Sequence, residues 1–216
     1  MNIKGNANFA AYGTPYLGIR ICDLFSPTRL SHFTMSKPLE RFCAFCGRPF
    51  DDPQAAWPRV CLCGMTTYRN PLPVVNLIVP VISHDQTGVL LIQRGIDPCR
   101  GQWAFPGGFM ELNETWQSGA ARELREETGL RVANPDSAIQ LLHVDESPRL
   151  DEIIVIGIAP TLRHQTMPQI PINEEVTASR IAFEPEELAF PAHTHAMEKF
   201  FHRLRHENSA SLLPQT

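Results

Sequence analysis

No stretch of the 216 residues offers the ~20 consecutive apolar side chains that a membrane span needs. The most apolar segment, Pro71 to Ser83, is shorter and is broken by Asn76 and by further prolines. A secretory leader is not expected either, because the apolar patch from Phe9 to Ile21 is cut by Arg20 and followed by Asp23. Positive charge is not in excess: 19 Lys and Arg against 23 Asp and Glu leave a net charge of −4. That balance argues against a strongly basic nucleic-acid binder, though it permits a local basic cleft for phosphates. No internal repeat is present. Cysteine is sparse, six residues, and four of them fall between Cys43 and Cys63 as two close pairs. Such pairing reads as metal spacing rather than a disulfide framework, and points to a reducing, cytoplasmic setting.

Proline is abundant instead. Its 19 residues are about 9% of the chain against a usual ~5%, which favours turns and extended connections over a helical bundle. Hydrophobic residues at 43% and charged residues at 19% are ordinary globular usage and exclude wholesale disorder. The length lies between one and two domains at ~150 residues each and suffices for one sizeable core.

Residues 1–40 lack hydrophobic periodicity and are expected to be poorly ordered. Arg20 and Arg29 among hydroxyl residues admit an organelle-targeting reading, against which Asp23 counts; the simpler expectation is an extension upstream of a natural start at Met35. Residues 41–69 form a cysteine module, 70–207 a single α+β unit, and 208–216 a flexible tail. Within the unit, Val74–Ile82 and Gly88–Gln93 read as buried strands with a turn over Asp85-Gln86-Thr87-Gly88. Further strands fit Ala138–Val144, Ile153–Ala159 and Ser179–Phe183. Helices fit Thr115–Thr128 and Thr194–Arg205.

The segment Gly108 to Leu130 reads GFMELNETWQSGAARELREETGL. Thr115 or Asn113 can cap a helix there and Gly129 can end it. At about 100° per residue, Trp116, Ala120, Ala121 and Leu124 form an apolar stripe, and Glu123, Glu126 and Glu127 gather on the neighbouring sector. Arg122 and Arg125 offset part of that charge. A hard divalent cation would neutralise the rest, and carboxylate oxygens suit Mg²⁺ or Mn²⁺. A merely solvated Glu-rich helix is the alternative. Against it stands Pro106-Gly107-Gly108 just upstream, where glycines let backbone approach a metal-bound phosphate.

This segment resembles the Nudix box, Gly-x5-Glu-x7-Arg-Glu-U-x-Glu-Glu-x-Gly-U with U aliphatic, at Gly108, Glu114, Arg122, Glu123, Leu124, Glu126, Glu127, Gly129 and Leu130. The looser resemblance runs from about Pro73 to Arg205. It implies an α/β/α sandwich with a mixed sheet, and hydrolysis of a diphosphate that joins a nucleoside to a second moiety. It further implies Glu123 and Glu127 as principal Mg²⁺ ligands and Glu126 as a further ligand or base. The Gly107 carbonyl would be a backbone ligand, Arg122 an orienting partner and Glu114 a structural tie. The carboxylates would then serve a metal-activated water and its deprotonation.

Cys43-Ala44-Phe45-Cys46-Gly47 and Cys61-Leu62-Cys63-Gly64 suit a structural zinc. A module this small would need the metal to hold its shape. It resembles the N-terminal zinc ribbon of some Nudix hydrolases, except that the second knuckle is CxC. A redox pair or plain buried cysteines are the alternatives. Cys22 and Cys99 read as ordinary thiols. Tyr68-Arg69-Asn70-Pro71, Gly101–Pro106 and Phe190 resemble the FAD/ADP-ribose pyrophosphatase group. The Ser-Gln-Pro-Trp-like motif of NADH pyrophosphatases is absent after the box. ADP-ribose or FAD is therefore the expected substrate, with NADH, nucleoside triphosphates or a non-catalytic sensing module as alternatives. Arg94 can bind phosphate or simply end a strand, and Trp103 and Phe105 can stack on a base or pack. Glu174 or Glu175, where relatives place another acidic residue, can be a base, a metal ligand or a solvated pair. The eight histidines form no expected metal pair, and His193 and His195 are read as capping or preceding the last helix. A homodimer is expected from the resemblance, and a nucleic-acid partner is not.

Overall fold

The computed structural model describes residues 41–52 and 54–211; the segment 1–40, expected to be poorly ordered, lies outside them. The cysteine module carries a two-stranded antiparallel sheet, β1 (Arg59–Val60) and β2 (Thr66–Thr67). Nine further strands follow, β3 (Leu72–Ile78), β4 (Pro80–Ser83), β5 (Gln86–Arg94), β6 (Trp103–Ala104), β7 (Gly107–Phe109), β8 (Gln140–Glu146), β9 (Glu152–Ile158), β10 (Leu162–Arg163) and β11 (Val176–Ala182). The helices are α1 (Trp116–Thr128), the single turn α2 (Pro135–Ala138) and α3 (Pro191–Ser211).

The strands form two mixed sheets. One has the order β7-β3-β9-β8 with β3 and β9 parallel; the other runs β10-β4-β5-β11, with β6 paired to β5. Alternation along β5 shows how they pack. Val89 and Leu91 join Ala196, Met197 and Phe200 of α3 in one core cluster, and Leu90 joins Ala120 and Leu124 of α1 in the other. The sheets are thus flanked by a helix on each side, the expected α/β/α arrangement.

The expected strand Val74–Ile82 is in fact two strands in different sheets. β3 ends at Ile78 and β4 begins at Pro80. Proline has no amide hydrogen to continue a ladder and is tolerated as the first residue of a strand. The turn after β4 also differs from expectation. Ser83 pairs with Gln86, so the loop is the two residues His84 and Asp85, both at positive φ (47° and 66°). Two left-handed residues in a two-residue loop match the strand twist, and Gln86 to Gly88 go into β5.

Helix α1 lies where its caps place it. The Thr115 side chain accepts the Ser118 amide, and Gly129 ends the helix in the left-handed region at φ 74°. The strand expected over Ala138–Val144 starts later because Pro135–Ala138 makes a helical turn. Helix α3 exceeds its expected bounds at both ends. Pro191 opens it, proline being suited to the first turn, and it reaches Ser211, into the expected flexible tail, because no Gly or Pro stands between Arg205 and Ser211 to stop it.

Candidate functional site

The site is built where β7, the loop before it and α1 meet. Leu124 anchors the helix in the core, and Glu127, three positions on, is carried inward with it to only 6% exposure. Its Oε2 accepts the Gly107 amide at 2.8 Å. Burial pushes the Glu127 carboxyl up to about 8; the Gly107 amide and Arg94 oppose the rise, and the charges of Glu123 and Glu175 add to it. Glu123 is half-buried, and burial raises its carboxyl too, against the pull of Arg122. Its carboxylate packs against Gly108, where a Cβ would come within 2.7 Å of it. Glu126 is the exposed member, at 48% for its side chain. The three carboxylates therefore span the helix from core to solvent rather than sharing one depth.

Arg122 holds this fan together. Its guanidinium donates to Glu114 (2.9 and 3.2 Å), Glu123 (2.7 Å), Glu126 (3.2 Å) and the Phe109 carbonyl (3.0 Å). Glu114 in turn accepts the Glu111 amide at 2.7 Å, and the Arg122 hydrogen bonds hold its carboxyl below the usual range. One arginine thus ties the loop before the helix to two of the three box carboxylates.

Of the other candidates, Arg94 and Glu175 are brought to this cluster. Burial lowers the Arg94 pKa, and the negative charges of Glu127, Glu175 and Asp97 oppose that. Its guanidinium lies 5.0 Å over the Phe190 ring, and its Nε donates to the Pro98 carbonyl at 2.8 Å. Glu175 sits in the loop before β11, fixed to the end of β5 by the Gly95 amide on its carbonyl at 2.7 Å. Its charge raises the pKa of both Glu123 and Glu127. Trp103 packs against the core beneath the Arg180 guanidinium, 4.5 Å from its ring. Phe105 is 2% exposed and stacked on His193 with centroids 5.0 Å apart, so it presents no ring face to a ligand. It belongs to the core, in keeping with the packing alternative.

The cysteine module gathers Cys43, Cys46, Cys61 and Cys63 so that their sulfurs all lie within 4.8 Å of one another. The Cys43–Cys63 and Cys46–Cys61 separations are 3.8 and 3.6 Å. A tetrahedron of ~2.3 Å Zn–S bonds has edges of about 3.8 Å, so the CxC knuckle fits such a site as well as the CxxC one does. Amide hydrogen bonds from Cys46 and Phe45 bring the Cys43 thiol down to about 6. The Cys63 amide pulls Cys61 the same way, but burial and the three neighbouring sulfurs outweigh it and push that thiol up to about 12. Around the sulfurs the packing is thin: Phe50 and Trp57 meet edge to face, with Arg59 4.2 Å over the indole. Cys99, expected as an ordinary thiol, is disulfide-bonded.

Residues 73–204 match the NUDIX domain. The chain belongs to the Nudix family. The solved NUDIX hydrolase from Nitrosomonas europaea has the same fold, with a TM-score of 0.59 and 30% identity over 77% of this chain and 93% of that one. The ADP-ribose pyrophosphatase of Methanocaldococcus jannaschii is 50% identical over 63 residues, 29% of this chain and 35% of that protein. The NAD-capped RNA hydrolase NudC of Edwardsiella ictaluri is 35% identical over 95 residues, 44% of this chain and 35% of that protein. This chain spans about a third of the length of these curated relatives.

Two features of this Nudix domain escape sequence reasoning. His193 is not a helix cap but a buried side chain, 3% exposed, whose Nδ1 accepts the Phe105 amide at 3.2 Å and so supports the loop before the box. Burial, with Arg94 adding to it, drives its pKa down to about 3. His195 also converges with His143 and Asp145, which lie far from it in the chain. No local spacing signals either arrangement.

Proposed function

We propose that this Nudix domain hydrolyses the diphosphate linkage of a nucleoside diphosphate joined to a second moiety, with ADP-ribose or FAD as substrate and AMP as a product. The observation that carries the reading is the fan of Glu123, Glu126 and Glu127, joined by Glu175 and tied to the Gly107 backbone. The two most buried carboxyls of the fan are pushed up by burial and by neighbouring carboxylates, which is the condition that a bound cation relieves. An oxygen-only donor set of this kind fits Mg²⁺ or Mn²⁺. A divalent ion bound there would neutralise diphosphate oxygens and acidify a water. In this reading Glu123, Glu127 and the Gly107 carbonyl hold the ion, and Arg122 keeps Glu123 and Glu126 in position. Glu126 or Glu175 takes the proton of the attacking water, and Arg94 draws a phosphate oxygen toward the cluster.

The likeness to the M. jannaschii enzyme supports ADP-ribose. NADH as substrate is the second reading, favoured by the likeness to the E. ictaluri NAD-capped RNA hydrolase. A structural zinc on Cys43, Cys46, Cys61 and Cys63 completes the proposal, supported by the sulfur separations. The proposal extends to a homodimer, for which the edge strand β8, with Leu141 and Val144 about half exposed, offers a surface. Among the described residues no helix is long and apolar enough to cross a membrane. The four free cysteines support a cytoplasmic setting, while the bonded Cys99 weighs against it.

The test is a side-by-side assay with Mg²⁺ of ADP-ribose, FAD, NADH, diadenosine polyphosphates and the common nucleoside triphosphates. The highest kcat/KM is expected for ADP-ribose or FAD, with AMP released. A preference for NADH establishes the second reading. Hydrolysis of triphosphates alone, or of nothing, overturns both.

A further inference from the structure

Strand β8 meets α3, and three metal-competent side chains converge there. The register of the β8–β9 ladder shifts between Leu141 and His143, which inserts Leu142 as an extra residue packed into the core beside α3. His143 and Asp145, two apart on the strand, then share the face that meets α3. His195 and Lys199, four apart on the helix, reach the same place. His143 Nε2 lies 3.6 Å and His195 Nδ1 3.8 Å from one oxygen, Oδ2 of Asp145. The two rings stand nearly perpendicular, 5.4 Å apart. One ligand atom from each of the three residues lies within 4.8 Å of the other two. The second carboxylate oxygen, Oδ1, accepts the Glu146 amide at 3.0 Å, which turns Oδ2 toward the rings.

A plain surface hydrogen-bond network around Lys199 is the alternative, since its ammonium lies 3.1 and 3.2 Å from the two ring nitrogens of His143. Yet 3.6 and 3.8 Å are too long for good hydrogen bonds from either ring to Asp145. They lie within a few tenths of an ångström of the ~3.0–3.4 Å between ligands that bonds of about 2.1 Å require. The side chains are 20%, 29% and 48% exposed for His143, Asp145 and His195, which leaves an entry path.

We propose that His143, Asp145 and His195 form a second cation site, separate from the α1 carboxylates and the four cysteines, that takes a transition-metal divalent ion of the Zn²⁺ and Ni²⁺ class. Two imidazoles with one carboxylate select such ions over Mg²⁺. Lys199 is the competing positive charge that the ion displaces. Occupancy pins β8 to the start of α3, whose His193 backs Phe105.

The test is a Co²⁺ titration of the full chain with the cysteine cluster first filled by one equivalent of Zn²⁺ and Mg²⁺ in excess. One further Co²⁺ per chain is expected, with visible ligand-field bands and no near-ultraviolet sulfur-to-cobalt charge transfer. His143→Ala and His195→Ala should each weaken this uptake at least about tenfold. The half-exposed His195 provides a variant that does not disturb the core. Lys199→Met should tighten uptake severalfold by removing a like charge. No further uptake by the parent, or uptake unchanged by both histidine variants, overturns the site. A Lys199→Met protein that binds no more tightly overturns the competition.

Discussion

The Gly107 amide donates to the Glu127 carboxylate across 2.8 Å, linking the loop before the box to the last turn of its helix. This bond fixes the backbone on which the proposed Gly107 carbonyl ligand depends, and it reaches a carboxylate that burial has already made costly to ionise. Glu127→Gln keeps size and helix propensity while removing that charge. The variant should fold at least as well as its parent in the absence of divalent metal. Its turnover of the preferred substrate should fall by 10²-fold or more, on the scale of losing a central electrostatic group. Turnover within a few-fold of the parent at saturating Mg²⁺ removes Glu127 from the proposed ligand set.

The neighbouring glutamates Glu174 and Glu175 separate by the same logic. The charge of Glu175 raises the pKa of both Glu123 and Glu127. Glu175→Gln should lower kcat by at least about tenfold with little change in fold, as loss of a base or of a charge near the metal would. Glu174→Gln should leave kcat unchanged. Equal effects of the two substitutions in a steady-state assay discard the assignment.

For the cysteine module, elemental analysis of protein prepared without added metal should find about one zinc per chain. Cys46→Ser should lose it and become prone to aggregate, because Phe50 and Trp57 offer little core without the metal. A zinc-free protein whose 41–69 region resists proteolysis rules the structural zinc out.

His193 should make the fold acid-sensitive. Its pKa in the fold is about 3 against an ordinary 6.5. Below 6.5 the unfolded chain takes up a proton that the folded chain refuses. The contribution of the neutral ring to stability is therefore complete above pH 6.5 and falls away toward pH 3, at up to about 1.4 kcal/mol per pH unit. Urea midpoints between pH 7.5 and 4 should drop less steeply for His193→Gln than for the parent. Parallel slopes eliminate His193 as the source.

The candidate site of this Nudix domain is legible in the sequence wherever it depends on neighbours along one helix or one loop. Glu123, Glu126 and Glu127 share a side of α1 because of helical periodicity, and Thr115 and Gly129 bound that helix by cap chemistry. The paired cysteines announce their cluster through spacing alone. What needed the tertiary structure was every relation set by packing. Glu127 lies deepest because Leu124 pulls its side of the helix into the core. Val74–Ile82 splits between two sheets because both β9 and β5 compete for its backbone, and Pro80 marks the change of partner. Phe105 turned from a stacking candidate into core because a histidine 88 positions away receives its amide. His143, Asp145 and His195 meet only because a bulge in β8 turns two of them toward α3. Such contacts close long loops, and their geometry depends on how complete elements pack, which local residue pattern does not encode.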